Sequence, residues 1–310
     1  MKAACAVLLL ALTSSSLGAP QGNLQQRWEE WQMKHGRRYS SQGEETGRRR
    51  AWQVNLDLVE AHKRGDAGLS METNQVADGM QSRRQLLNPT AHSPVVDTHH
   101  DNDVSPTRPK SFDWRNKGVI SPVTNVDSFG NTFAIVAAGC VESFLAIKNG
   151  YLLGLSTYEI VDCCPLVKDD IFDCIHNFGG LCGATSYPLF TGQCKNNTCQ
   201  AVAKIRGGKA VPAGHVNRMV QVLLKRPLAV LIDASAASFG RYQNGIYNDT
   251  DCSNTKVNHA MQVVGYGEED GQEFWICKNT WGPKWGDKGY VRMKKGADTC
   301  GIESHASYPY

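Results

Sequence analysis

The chain has 310 residues, a formal net charge of +3, 20% charged residues and 41% hydrophobic residues. These proportions exclude a disordered polyelectrolyte and a bundle of membrane helices. The charge is too small to point to nucleic acid, and no long Lys/Arg block is present. The unusual number is 11 cysteines, which points to an oxidising compartment or to metal chemistry.

The N-terminus favours the first. Lys2 precedes an apolar run from Ala6 to Leu12, and a small-residue exit follows through Gly18 and Ala19. This pattern predicts a secretory signal peptide over residues 1–19, whose removal takes Cys5 with it. No later stretch reads as the ~18–20 consecutive apolar residues that a membrane span needs. Disulfides are then the expectation for the remaining cysteines. No Cys-x-x-Cys pair faces another, so a structural zinc site is not expected, and the sequence gives no sign of a cofactor.

Residues 20–80 are charged, with apolar positions at helical spacing. Trp28, Trp31 and His35 share one face, and a second run starting near Glu44 carries Leu56, Val59, His62 and Lys63. Residues 81–109 are polar and broken by proline, and read as a linker open to proteolysis. Residues 110–310 have globular proportions. Asn131 to Lys148 predicts a long helix apolar on most sides. Leu155 to Asp162 predicts a second helix, with Ser156 and Glu159 spaced as a capping box. Strands are predicted at Leu228–Ile232, Met261–Val264, Phe274–Cys277 and Tyr290–Met293. Helices followed by strands predict an α+β fold in two parts.

Three stretches carry a specific resemblance: Asp113-Trp114-Arg115 with Ser121-Pro122-Val123-Thr124-Asn125; Asn258-His259-Ala260 with Val263-Val264-Gly265-Tyr266-Gly267; and Trp275 to Gly282 with Trp285 to Tyr290. In order and spacing they resemble the papain-like cysteine peptidases, the cathepsin L and S branch in particular. Glu44, Arg48, Trp52, Asn55 and Val59 resemble the family's pro-region motif, with Lys63 departing from its final Asn, and Asn74, Val76 and Asp78 resemble the motif that follows. The resemblance covers roughly residues 25–310. It implies a two-lobed fold, with a helical lobe built on a long central helix and a β-barrel-like lobe, preceded by a helical inhibitory-type pro-region.

That family works by nucleophilic catalysis: a thiolate at a helix N-terminus, paired with a histidine, attacks the peptide carbonyl. The resemblance implies His259 as the catalytic histidine, Asn279 as its orienting partner and Trp281 as the indole shielding that bond. The nucleophile segment departs. Asn125 to Ala134 stands where the family has Asn-Gln-Gly-x-Cys-Gly-Ser-Cys-Trp-Ala, and only Asn125, Gly130 and Ala134 keep the pattern. The nucleophile position holds Thr132, the oxyanion position Val126, a half-cystine position Phe129 and the second shielding position Phe133. Val126 cannot donate, and losing one oxyanion donor costs on the order of 10²–10³ in rate. Thr132 is a β-branched alcohol in place of a low-pKa thiol; its plainer reading is a hydroxyl capping its own helix. Cys140 lies ~12 Å further along that helix, out of reach of His259, and Cys277 reads as buried packing.

The family's glycine turn that pairs with extended peptide also looks altered. Cys174 to Phe178 leads directly into Gly179-Gly180, which reads as loss of the following helix, with Ile175 to Asn177 obstructing the shelf; an alternative alignment puts Gly179-Gly180 in the shelf's place. The resemblance implies the bridges Cys163–Cys194 and Cys252–Cys300. Cys164, Cys174, Cys182 and Cys199 remain, with three connectivities open. Asn196 and Asn248 head glycosylation sequons.

The expectation is therefore a monomeric papain-like homologue of the secretory pathway, lysosomal or extracellular, catalytically inactive or nearly so. It would bind peptides or proteins in its cleft, or related cysteine peptidases through its pro-region, and no nucleic acid. The alternatives are a residual peptidase using Thr132 with His259, and a protein whose working part is the pro-region.

Overall fold

A computed structural model describes residues 21–62, 69–73, 108–125, 131–164, 170–187 and 192–310. The predicted signal peptide, most of the linker, Lys63, the 74–78 motif, Val126 and Phe129 lie outside the described residues.

The pro-region opens with α1 (Gln21–His35) and α2 (Gln42–His62). Their mutual core is aromatic: Trp28, Trp31 and Trp52 are all buried. Trp28 stacks on Trp31 at 5.3 Å and meets Trp52 at 5.2 Å. Three indoles, two at i, i+3 on α1 and one on α2, supply the large apolar area that two isolated helices need to hold together. A short strand, β1 (Leu69–Met71), carries the pro-region onto the rest of the protein.

The helical lobe follows β2 (Phe112–Asp113). It comprises α3 (Thr132–Asn149), α4 (Thr157–Cys163) and α5 (Ile171–Asn177). Helix α3 would suit a membrane span by length and hydropathy, yet 61% of it is buried inside the protein. Ala134, Ala137, Cys140 and Val141 meet Ile160 of α4, with Phe172 and Ile175 of α5 in the same cluster. Ser156 caps α4, its hydroxyl accepting from Glu159 N–H. The capping box is only half made: Glu159 turns away and accepts from Cys182 N–H instead.

Helix α5 corrects the reading of the shelf. Cys174 to Asn177 form helix, not shelf, and Ile175 is fully buried in the lobe's core, so it obstructs nothing. Gly179 and Gly180 take positive φ just past that helix, and a Cβ on Gly180 would fall 2.3 Å from Ala203 O. Gly180 thus allows the close approach of the Ala203 backbone, while Gly179, with open space around it, serves the turn by its positive φ alone. Asp170 caps the helix, its carboxylate accepting from Phe172 N–H.

The remaining strands form one sheet: β3 (Gly208–Ala210), β4 (Leu228–Ile232), β5 (Tyr242–Tyr247), β6 (His259–Glu269), β7 (Gln272–Lys278), β8 (Tyr290–Lys294) and β9 (Ala306–Pro309). Its order is β1-β5-β8-β7-β6-β4-β9-β3, with β2 also paired to β6. One helix, α6 (Val216–Leu223), packs Met219, Val220 and Leu223 into the core beneath it. The longest strand, β6, faces both lobes. On one side Val263 joins the strand core. On the other, Gln262 donates to Gly139 O at 3.0 Å and to Ser143 Oγ at 3.1 Å on α3. This seam fixes the N-terminus of α3 relative to His259, the first residue of β6.

Among the described residues four disulfides are formed: Cys163–Cys194, Cys252–Cys300, Cys164–Cys174 and Cys182–Cys199. The neighbours Cys163 and Cys164 thus tie the end of α4 both to the 194 loop and to α5.

Candidate active site

Three elements contribute to the site. His259 opens β6, Asn279 follows the last residue of β7, and Trp281 sits two residues beyond. The strand pairing Gln262↔Lys278 brings the two strand ends together. His259 Nε2 lies 2.7 Å from Asn279 Oδ1. The same oxygen accepts from Thr280 N–H at 2.8 Å, so the carboxamide is oriented and His259 Nε2 is the donor. The Nδ1 of the neutral ring is then an acceptor.

His259 is only 4% exposed. Burial pushes its pKa down from the usual 6.5 to about 4, against an upward pull from Asn279. The imidazole is therefore neutral at mildly acidic and neutral pH. A base so far below the working pH drives proton abstraction weakly. Trp281 lies 4.8 Å from the imidazole, and Phe239 and Trp285 stand behind it at 5.5 and 5.3 Å. This aromatic floor accounts for the desolvation. Phe239, which also touches the His259 ring edge, was not singled out from sequence; its signal there is a lone aromatic in a short Ser/Ala segment.

Thr132 is the first residue of α3 and is buried. No hydrogen bond joins it to His259 or Asn279 among the described residues. Nor does it cap the helix: that role belongs to Asn131, whose carboxamide accepts from Ala134 N–H at 3.0 Å. The correction has a simple cause. An N-cap side chain must precede the first helical residue and reach forward to the third, and Asn131 holds that place. Phe133 is partly buried and packs on the helical-lobe cluster.

Among the described residues the free thiols are Cys140 and Cys277, both buried. Burial pushes both well above the usual thiol range. Neither offers a thiolate. Asn196 and Asn248 are exposed. The Asn196 amide donates to Phe178 O at 3.1 Å, and Asn248 Oδ1 accepts from Thr299 Oγ1 at 3.3 Å. Among the described residues one group of potential metal ligands occurs, Glu159 with Cys182 and Cys199, but the two sulfurs are already bonded to each other.

The pro-region is held against the strand lobe. Its β1 pairs antiparallel with β5, Leu69 opposite Gly245 and Ser70 opposite Asn244. Glu72 N–H donates to Arg241 O at 3.0 Å, and Arg241 Nη1 donates to Asn55 Oδ1 of α2 at 2.6 Å.

A family model described as papain family cysteine protease matches residues 108–310, and one described as cathepsin propeptide inhibitor domain matches residues 28–81. The chain belongs to the papain family of cysteine proteases. Cathepsin K of Mus musculus is 34% identical over 324 residues, covering 97% of this chain and 98% of its own length. Procathepsin L of Mus musculus is 34% identical over 304 residues, covering 91% of each. Among solved structures, a recombinant stem bromelain precursor matches with a TM-score of 0.81 and 30% identity over 93% of this chain and 98% of its own. Digestive procathepsin L 3 of Tenebrio molitor matches with a TM-score of 0.78, 28% identity, and coverage of 92% and 98%. These relatives, like this papain-family chain, span pro-region and peptidase domain together.

Proposed function

We propose that the protein is a papain-family homologue that hydrolyses peptides poorly or not at all and acts by binding. The observation that carries this reading is the uncoupled pair: Thr132, at the family's nucleophile position, makes no hydrogen bond to a neutral, buried His259. Nucleophilic catalysis needs nucleophile and base within hydrogen-bond reach. A β-branched alcohol beside a weak base, with valine at the oxyanion position, lacks several parts of one catalytic unit.

Two binding modes belong to this reading. The cleft between the lobes would receive peptides or proteins. The pro-region would engage related cysteine peptidases, a reading favoured by its match to a propeptide inhibitor domain and by its intact indole core. The apolar N-terminus, the four disulfides and the two exposed sequons suit a secretory route ending in the lysosome or outside the cell. The test is a dipeptidyl fluorogenic substrate assay on purified protein, before and after removal of the pro-region. Turnover should equal that of His259→Ala in both forms; turnover abolished by His259→Ala overturns the proposal.

A further inference from the structure

The strand edge that holds the pro-region carries a charge that the pro-region meets only with a neutral group. Arg241 is the residue before β5, and only 3% of it is exposed. Its Nη1 donates to the Asn55 carboxamide at 2.6 Å, and its Nε has no partner. Among the described residues no carboxylate pairs with it. The titratable group that acts on it is the phenol of Tyr247, which burial keeps neutral. Desolvation pulls the guanidinium down to about 10, so it stays charged in acidic and neutral surroundings. A buried cation held by one neutral amide is a costly arrangement. The partner that a guanidinium fork matches is a carboxylate.

An acid does stand close in the ladder. The β1–β5 pairing runs through Ser70↔Asn244 and Met71↔Tyr242, and Glu72 N–H then donates to Arg241 O at 3.0 Å. Opposite charges at facing positions of an antiparallel pair ordinarily meet. Here Glu72 leans to Lys34 of α1, at 3.9 Å, while Arg241 turns to α2. The two pro-region helices draw the pair apart. In the sheet order β5 lies between β1 and β8. Departure of the pro-region would leave β5 as the sheet edge, with Arg241 at its start and no carboxamide on it. Such an edge is a template for an added strand.

We propose that the freed β5 edge binds an extended acidic peptide segment, which adds as a strand in the place of β1 and sets a Glu or Asp side chain on Arg241. Main-chain bonds to β5 supply the affinity, and the pair with Arg241 supplies the specificity. The proposal rests on the reading that the protein acts by binding. It uses the sheet edge and not the cleft, and involves neither Thr132 nor His259.

The test uses the full chain with a site-specific protease sequence inserted in the linker, cut, with both pieces kept in solution. The probe is a dye-labelled peptide with the sequence of residues 68–74, Gly-Leu-Ser-Met-Glu-Thr-Asn, blocked at both ends. Fluorescence anisotropy should show saturable binding to the cut protein and none to the uncut chain, whose β1 covers the edge. Replacing the peptide's Glu by Gln should weaken binding roughly 10- to 100-fold, the loss of a charged hydrogen bond to a buried partner. N-methylation of that Glu keeps the charge and removes the donor to Arg241 O, and should weaken binding as well. Arg241→Met should erase the difference between the Glu and Gln peptides. The peptide arms keep the test valid if that variant fails to fold. No binding to the cut protein, equal binding to the uncut chain, equal affinity of the Glu and Gln peptides, or an unaffected N-methyl peptide overturns the proposal. So does a dimer of the cut protein on size exclusion that forms in place of peptide binding. Turnover is not read, so activity through His259 would overturn the proposed function and leave this result standing.

Discussion

The strand side and the helix side of the catalytic position have fared differently. On the strand side, His259, Asn279 and Thr280 form one bonded, buried unit, with the half-buried Trp281 packed on the imidazole. On the helix side, Thr132 has a buried place and no bond to that unit. The strand side is also a folding device. Asn279 Oδ1 satisfies two buried donors at once, and Trp281 shares its contacts with Phe239 and Trp285. Stability therefore explains the presence of the His–Asn pair without any need for catalysis. The helix side has no such second duty, because Asn131 does the capping.

The largest expected effect concerns chemistry. Thr132→Cys places a thiol at a helix N-terminus, where its pKa falls and alkylation quickens. Adding Val126→Gln should raise kcat/KM on a dipeptidyl substrate by a further 10²–10³ over Thr132→Cys alone, the worth of one oxyanion donor. Equal rates for the single and double variants would show that the oxyanion position is not what limits the helix side.

Next comes stability. Asn279→Ala leaves His259 Nε2 and Thr280 N–H buried without an acceptor, at roughly 1–3 kcal/mol each. Thr132→Ala removes no bond and should cost under about 0.5 kcal/mol. Urea unfolding of both variants measures the contrast; equal losses would erase the distinction between the two sides.

The pH dependence is of similar or smaller size. The folded pKa of His259 lies below its ordinary value, so the fold favours the neutral ring. That stability is fully present above pH 6.5 and is lost as pH falls from 6.5 towards 4. The loss should be on the order of 1–3 kcal/mol. His259→Gln, which cannot ionise, should flatten this part of the stability profile; an unchanged profile would assign the acid sensitivity elsewhere. The smallest effect is the cap. Asn131→Ala should cost about 1 kcal/mol by losing its bond to Ala134, in the same urea series.

Much of this was legible in the sequence. The apolar runs of α3 and of 228–232 and the alternating stretch at 290–293 marked their elements, because helical and strand periods differ in where apolar residues fall. His259, Asn279 and Trp281 could be placed from motif order. Helix α5 was missed because it is short: two core residues at i, i+3, Phe172 and Ile175, span a single turn. The cap at Asp170 was its sequence signal. Asn131 was overlooked for Thr132 because both are cap-forming types one residue apart, and only backbone geometry separates them.

The central claim is that Thr132 is not a working nucleophile. The direct measurement is intact mass spectrometry of the purified protein after exposure to a fluorophosphonate, under conditions that fully label a serine hydrolase. An unchanged mass is the predicted result. A single adduct mapped to Thr132, absent from His259→Ala, would contradict it.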